Sequence, residues 1–384
     1  MSMRNKTTGL CAGLVAMGLV ASAGAQERAV VGNLPDGTKI ETITLHDASG
    51  MQARILTLGA ALNALDVPDR NGKLGDVVLG DRTLQATLAK PQYFGTIVGR
   101  FANRVAKGKF TLDKKSYTVP TNDGPNSLHG GTKGFDKVVW EVVEAKPDRV
   151  KLRYVSPDGD QGYPGKLTVT ASYALEGNGS LAIEYRATTD KPTIVNLSNH
   201  TYWNLSGEGM GTAMDHELMI AADAYTPVDA TLIPTGKIVP VAGTVFDFRK
   251  PKPIGQDLRN AVAEPQLMLG LGYDHNWVVS RTASKQPREM ARVHDPRSGR
   301  VMSLSSTQPG LQFYSGNFLD GKTVGKSGHL YRQGDAFVLE PQLFPDTPNQ
   351  PTFGPAAARL APSQEYVNRM VYRFTTDKGA SAGR

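Results

Sequence analysis

Leu167-Thr-Val-Thr-Ala-Ser-Tyr-Ala-Leu175, then Glu176-Gly-Asn-Gly179, then Leu181-Ala-Ile-Glu-Tyr-Arg-Ala187 is the stretch that sets the class of fold. Apolar and polar side chains alternate on both sides of a turn rich in glycine, and a period of two around such a turn is a β-hairpin signature. Val150 to Tyr154 reads as the strand before it and Thr193 to Leu197 as the strand after it. Further out, strands are expected at Lys39 to Leu45, Ala53 to Leu58, Asp76 to Leu79, Lys109 to Leu112 and Val138 to Val143. The pattern resumes at His216 to Ala221, Val301 to Ser305, Gln312 to Ser315, Ala336 to Glu340 and Val367 to Phe374. Short alternating runs separated by turn clusters predict an all-β protein, a large antiparallel β-sandwich. Helix candidates are few and brief, the best being Leu84 to Ala89, stopped by Pro91.

Composition agrees with that pattern. The 384 residues include 41 glycines and 24 prolines, and 40% are hydrophobic against 21% charged, enough for a large core with many turns. The N-terminus reads separately. Arg4 and Lys6 precede an apolar run from Leu10 to Val20, and Ala23-Gly24-Ala25 is a small-residue cleavage site, so residues 1–25 are expected to be a secretory signal cut before Gln26. A secreted, periplasmic location follows. The apolar stretch from Leu10 to Ala23 falls short of the ~20 residues that cross a bilayer, so no stable membrane association is expected after cleavage. Cys11 is the only cysteine, so residues 26–384 offer no disulfide, thiol nucleophile or Cys-ligated metal. No linker or repeat divides them, and they read as one domain, expected to be monomeric, with 376–384 a frayed tail. The net charge is +7, two units of it from Arg4 and Lys6, and the remaining basic residues are scattered among acidic ones. Such a surface has no stripe that would track phosphates, which argues against nucleic acid.

Two glycine-rich segments imitate phosphate loops and fail on spacing. Gly321-Lys-Thr-Val-Gly325-Lys326-Ser327 is one residue short of a Walker A motif and reads as a surface loop, and Gly207-Glu-Gly209-Met-Gly211 lacks a βαβ context and reads as a turn. There is no G-x-S-x-G elbow, and the seven histidines form no H-x-H or H-E-x-x-H pair, so no metal is expected. What remains is a series of polar clusters at the ends of apolar strands. They are Asn126-Ser-Leu-His129-Gly130-Gly131, Asn199-His200-Thr-Tyr202-Trp203-Asn204, Tyr273-Asp274-His275-Asn276-Trp277, Gly310-Leu-Gln312-Phe-Tyr314-Ser-Gly316-Asn317 and Val338-Leu-Glu340-Pro-Gln342. Taken singly each has an ordinary reading: His129 or His200 as a hydrogen-bonded structural histidine, Glu340 as a salt-bridged strand residue, Asp274 as a turn cap. Gln312 or Asn103 alone carries no information.

Taken together with Gly99-Arg100-Phe-Ala-Asn103-Arg104-Val, and in this order, the clusters resemble the aldose 1-epimerases, or galactose mutarotases, from Leu34 to Phe374. The resemblance implies a β-supersandwich that acts on free aldohexoses without cofactor or metal. It implies Glu340 as catalytic base, His200 as catalytic acid, and Asn103, Arg104, His129, Asp274 and Gln312 as sugar-binding residues. Trp277 stands where the family commonly has phenylalanine, and Pro341 where threonine is frequent, which touches sugar preference more than reaction.

The residue types suit that chemistry. Anomerisation needs a base at the C1 hydroxyl and an acid at the ring oxygen, and a glutamate (ordinary pKa ~4.3) with a histidine (~6.5) can divide the work near neutrality. Tyr202, Trp203 or Trp277 would offer an apolar face to the sugar ring. Two other classes compete. A glycoside hydrolase would require two carboxyl groups flanking the bond, roles open only to Glu340 and Asp274. A periplasmic carbohydrate-binding module would require the binding groups without an acid/base pair.

Overall fold

The computed structural model describes residues 27–380 apart from 261 and 263. The proposed signal and Cys11 therefore lie outside the described residues. Three sheets carry the architecture. Nine antiparallel strands form the largest, in the spatial order Glu141–Lys146, Arg149–Ser156, Leu167–Gly177, Ser180–Thr189, Tyr366–Thr376, Arg300–Ser306, Arg288–His294, Glu217–Ile220 and Lys252–Pro253. Six form the second, in the order Tyr202–Trp203, Phe337–Gln342, Gly310–Tyr314, Asp274–Val278, Ala224–Thr226 and Val239–Pro240. The third is a five-stranded meander from Glu27–Asn33 to Leu74–Asp76. One contiguous cluster of buried apolar side chains, from Ile43 to Phe374, fills the space between them.

The hairpin that opened the sequence reading forms over Leu167–Gly177 and Ser180–Thr189, with Val169 opposite Ala187 and Tyr173 opposite Ile183. Its alternation turns Leu167, Val169, Ala171 and Tyr173 into the core. The six-stranded sheet is divided in the same way. Phe313, Leu339, His275, Trp277 and Trp203 share its core face, and Trp203 packs against Tyr372 and Phe374 of the large sheet at 5.1 and 5.8 Å between ring centroids. Asp274, Asn276, Gln312, Tyr314, Glu340 and Tyr202 share the other face.

Leu84–Ala89 is a helix, capped by the Thr83 hydroxyl, which accepts from the Ala86 amide at 3.2 Å, and it ends at Lys90 before Pro91. Several readings need correction. Only Thr193–Ile194 of the expected Thr193 to Leu197 strand pairs as a strand, with Arg359–Leu360, because the Asn196 amide turns instead to Arg100 O at 3.0 Å. The supposed surface loop at Gly321 is mostly strand: Asp320–Val324 pairs with Leu330–Arg332, and Lys326 is held by Asp76 at 2.6 Å. Nor does the tail begin to fray at 376. Asp377–Ala380 forms a short helix, and Asp377 holds Arg70 at 2.6 Å. A further helix, Pro265–Gly270, goes unread in the sequence although it has Pro at its first turn and Glu264 as cap.

His216 is fully buried near Asp295, its Nε2 accepting from the Leu205 amide at 2.9 Å, and burial lowers its pKa to about 4. A histidine with a folded-state pKa below its unfolded value of ~6.5 takes up protons preferentially in the unfolded chain between those values. Its stabilising contribution is therefore complete above pH ~6.5 and falls away toward pH 4, by up to roughly 3 kcal/mol. Chemical denaturation at pH 7, 6, 5 and 4.5 should show stability dropping with pH, and His216→Asn should lessen a slope to which the buried His129, His200 and His275 also contribute; an unchanged slope would show that His216 adds nothing to it.

Candidate active site

The polar face of the six-stranded sheet forms the floor of a cavity of about 160 Å3. Register decides which residues reach it. Asn276, Gln312 and Glu340 are directly paired across three neighbouring strands, and Asp274, Tyr314, Val338 and Tyr202 make the adjoining row. Of these, Asp274, Tyr202, Tyr314 and Glu340 line the cavity.

The walls come from turns. Arg104–Val105 pairs with Ser127–Leu128, which sets Asn103 and Arg104 beside His129. His129 has φ of 51°, and its amide donates to Asn103 O at 3.0 Å, while the Asn103 amide donates to His129 Nδ1 at 3.1 Å. Gly130 follows because a Cβ there would lie 2.0 Å from Gly99 O, at φ of 93°. His200 leaves the short strand Ser198–Asn199, its amide donating to Thr96 O at 2.9 Å and its carbonyl accepting from the Gly95 amide at 3.0 Å. The mouth is bounded by Pro91, Gln92, Tyr93 and Phe318, the last about half exposed.

The cavity thus brings together Asn103, Arg104, His129, His200, Tyr202, Asp274 and Glu340. Gln312 stands one step behind: its amide donates to Asp274 Oδ1 at 2.7 Å. Trp277 is not at the cavity. It is 0% exposed on the opposite face of the sheet, donating to Phe246 O at 3.1 Å among Phe246, Phe248, Tyr273 and Phe313. Trp203 is likewise core, so Tyr202 alone of the three aromatics proposed for the sugar ring reaches the pocket. The alternation Asp274-His-Asn276-Trp277 already placed Trp277 opposite Asp274. Of the other lining residues, no polar cluster marks Tyr93, Tyr314 stands inside a motif read for its amides, and Phe318 lies one residue beyond that motif.

Charge inside the cavity is poorly compensated. Arg104 donates through Nε to Asp123 Oδ2 at 2.7 Å and lies 3.7 Å from Asp274 Oδ2, so one cation faces three carboxylates when Glu340 is included. Burial, reinforced by the Asp274 charge and opposed by Arg104, pushes the Glu340 carboxyl well above the usual range. Burial likewise raises Asp274, with Arg104 and Gln312 opposing. His200 is pulled down to about 4 by burial, and His129 well below its ordinary value by burial and then by the neighbouring His200 and Arg104. Among the described residues, Glu340 Oε2 is buried with no protein hydrogen-bond partner, capacity that suits a polyhydroxylated ligand, and behind the lining Gln312 Oε1 and both amide atoms of Asn276 are also unpartnered.

His129, His200 and Glu340 offer ligand atoms within 4.8 Å of one another, a donor set of two imidazoles and a carboxylate. The site does not fit a metal well. With its Nδ1 accepting from the Asn103 amide, neutral His129 carries its proton on Nε2 and presents a donor there instead of a lone pair.

Comparison with known proteins gives the class. Residues 41–373 match the profile of the aldose 1-epimerase family. The galactose mutarotase of Rattus norvegicus is 47% identical over 349 residues, covering 91% of this chain and 98% of the relative. The aldose 1-epimerase of Escherichia coli is 35% identical over 343 residues, covering 89% and 97%. A crystal structure of an aldose epimerase homologue from C. elegans superposes with a TM-score of 0.80 at 34% identity, covering 87% of this chain and 98% of the other. That of galactose 1-epimerase from Lactobacillus acidophilus gives 0.78 at 28%, covering 92% and 99%. The chain belongs to the aldose 1-epimerase family. It is an isomerase that interconverts the α and β anomers of aldoses.

Asp274→Asn removes a negative neighbour from Glu340, which favours the ionised carboxylate and lowers its pKa. The variant should show a raised KM together with a pH–rate profile displaced toward acid; a raised KM with an unmoved profile would mean that Asp274 does not act on Glu340.

Proposed function

We propose that the protein anomerises free aldohexoses, glucose and galactose among them, by opening and reclosing the pyranose ring. Glu340 takes the proton of the C1 hydroxyl and His200 gives one to the ring oxygen. Asn103, Arg104, His129 and Asp274 orient the sugar hydroxyls, with Gln312 holding Asp274 and Tyr202 against the ring. The carrying observation is that His200 Nε2 and Glu340 Oε1 stand 3.9 Å apart on one cavity. Both oxygens to be served are bonded to C1, so an acid and a base must converge on one carbon. A glycoside hydrolase would instead separate two carboxyl groups by about 5 Å or more across the bond. The relatives named galactose mutarotase support galactose as one substrate.

The proton inventory follows from burial. Ring opening begins with Glu340 ionised and His200 protonated. The C1 hydroxyl proton passes to Glu340, the C1–O5 bond breaks with its electrons going to O5, and O5 takes the His200 proton. An open-chain aldehyde is left between a neutral acid and a neutral imidazole. Burial raises Glu340 and lowers His200, which favours this neutral pair. The charged start and the neutral opened state are thereby brought closer in free energy. Rotation about C1–C2 and attack of O5 on the other face of the carbonyl return both protons. The same directions of shift make the charged pair the costlier of the two arrangements, so ring opening starts once the pair's proton has passed from Glu340 to His200, and the limbs of the pH profile belong to the pair.

Polarimetry of fresh α-D-glucose and α-D-galactose should show accelerated approach to the ordinary final rotation, while methyl glycosides, which lack the C1 proton, stay inert. Glu340→Gln and His200→Asn should each lose about 10²–10⁴-fold in kcat with sugar binding retained. Hydrolysis of methyl or aryl glycosides at comparable rates would transfer the protein to the hydrolases. Near-native kcat in folded Glu340→Gln would move the base to Asp274.

Export is part of the proposal. Arg4, Lys6, the Leu10 to Val20 run and Ala23-Gly-Ala25 support cleavage before Gln26 and work in the periplasm. N-terminal sequencing of protein from its native compartment should begin at Gln26, and an intact N-terminus in the cytosol would overturn this.

A further inference from the structure

Among the described residues, no side chain or main-chain group of another residue holds the His200 ring by a hydrogen bond: its Nδ1 is buried without a partner from elsewhere in the fold, its Nε2 lies 3.9 Å from Glu340, beyond hydrogen-bond reach, and the one main-chain contact of the ring is to His200 itself, which does not tie it to its surroundings. Catalytic and metal-bound imidazoles are usually fixed through the second nitrogen by a carboxylate or a carbonyl. Here rings surround it instead: Tyr202 at 5.1 Å, His129 at 5.2 Å and nearly perpendicular, and Tyr93 at 5.5 Å between centroids. Tyr93 touches both imidazoles, meeting His129 edge-on at 4.8 Å.

Tyr93 is itself held firmly. Its φ of 62° is rare for an aromatic residue, a conformation kept only where the surroundings enforce it. Its carbonyl accepts from both the amide and the hydroxyl of Thr96, each at 3.1 Å. The neighbouring Gln92 amide is tied to Thr323 Oγ1 at 2.8 Å. Lys137 Nζ, paired with Asp136 at 2.9 Å, stands 5.4 Å from the centre of the Tyr93 ring. The turn that carries Tyr93 also brackets His200, since residues 95 and 96 make the two main-chain hydrogen bonds to it.

We propose that Tyr93 is a positioning residue for anomerisation, its ring closing an aromatic cage that aims the His200 imidazole where no hydrogen bond from another residue does. The proposal rests on His200 being the acid. Displacing a reacting group by about 1 Å costs on the order of 10²-fold. Tyr93→Leu should therefore lower kcat by about 10- to 100-fold with KM changed little, and Tyr93→Phe, which keeps the ring, should restore kcat to near native. Full kcat in folded Tyr93→Leu would overturn the proposal. A raised KM in Tyr93→Phe would also overturn it, because the hydroxyl would then be a sugar contact. If Tyr93→Leu does not fold, Tyr93→Met is judged by the same criteria. In native protein with labelled histidine, His200 should give one set of ring resonances without sugar, and two sets would refute a cage that fixes it. His200→Asn separates the two ideas: if it keeps native kcat, the assignment of the acid fails; if it loses activity while Tyr93→Leu does not, only the cage fails.

Discussion

The register of three strands, Asp274–Val278, Gly310–Tyr314 and Phe337–Gln342, is the constraint on which the site depends. Side chains alternate across a sheet, so a slip of one residue would exchange Glu340 for Leu339 and Gln312 for Phe313 at the cavity floor. The core face forbids that slip, because it would put a carboxylate where Leu339 and Trp277 now fill space against Phe248 and Phe313. The packing of the sandwich thus aligns the chemistry. Its cost appears in the orphaned polar atoms of Glu340, Gln312 and Asn276, an arrangement that is poor for stability and, at Glu340, open to a ligand rich in hydroxyls.

Burial is also what makes an ordinary glutamate and an ordinary histidine useful together. One guanidinium, Arg104, answers three carboxylates and is itself engaged by Asp123, so Glu340 is left short of compensating charge. His129 contributes through its tautomer. Its Nδ1 is occupied by a main-chain amide, so it offers a fixed donor without a charge.

Much of this was legible in the sequence, and the exceptions have physical causes. Period-two alternation located the hairpin at Leu167 and the strand ending at Glu340, because burial on one face imposes it. The motifs gathered Asn103, His129, His200, Asp274 and Glu340, which the fold does bring to one cavity. Trp277 was misjudged by weighing residue type over strand parity. Tyr93 stayed hidden because its place depends on a left-handed turn and on loops at Thr96 and Thr323, none of which leaves a periodic trace. Segments such as Thr193 to Leu197 look like strands but spend their hydrogen bonds on several partners, which alternation alone cannot distinguish from a ladder.

The last strand of the chain, Tyr366–Thr376, lies in the interior of the nine-stranded sheet, between Ser180–Thr189 and Arg300–Ser306. Until it arrives, two long strands expose unpaired edges and the core lacks Met370, Tyr372 and Phe374. The large sheet can therefore be completed only once Tyr366–Thr376 is in place. Such a topology relies on contacts between residues far apart in sequence and delays commitment to the folded state.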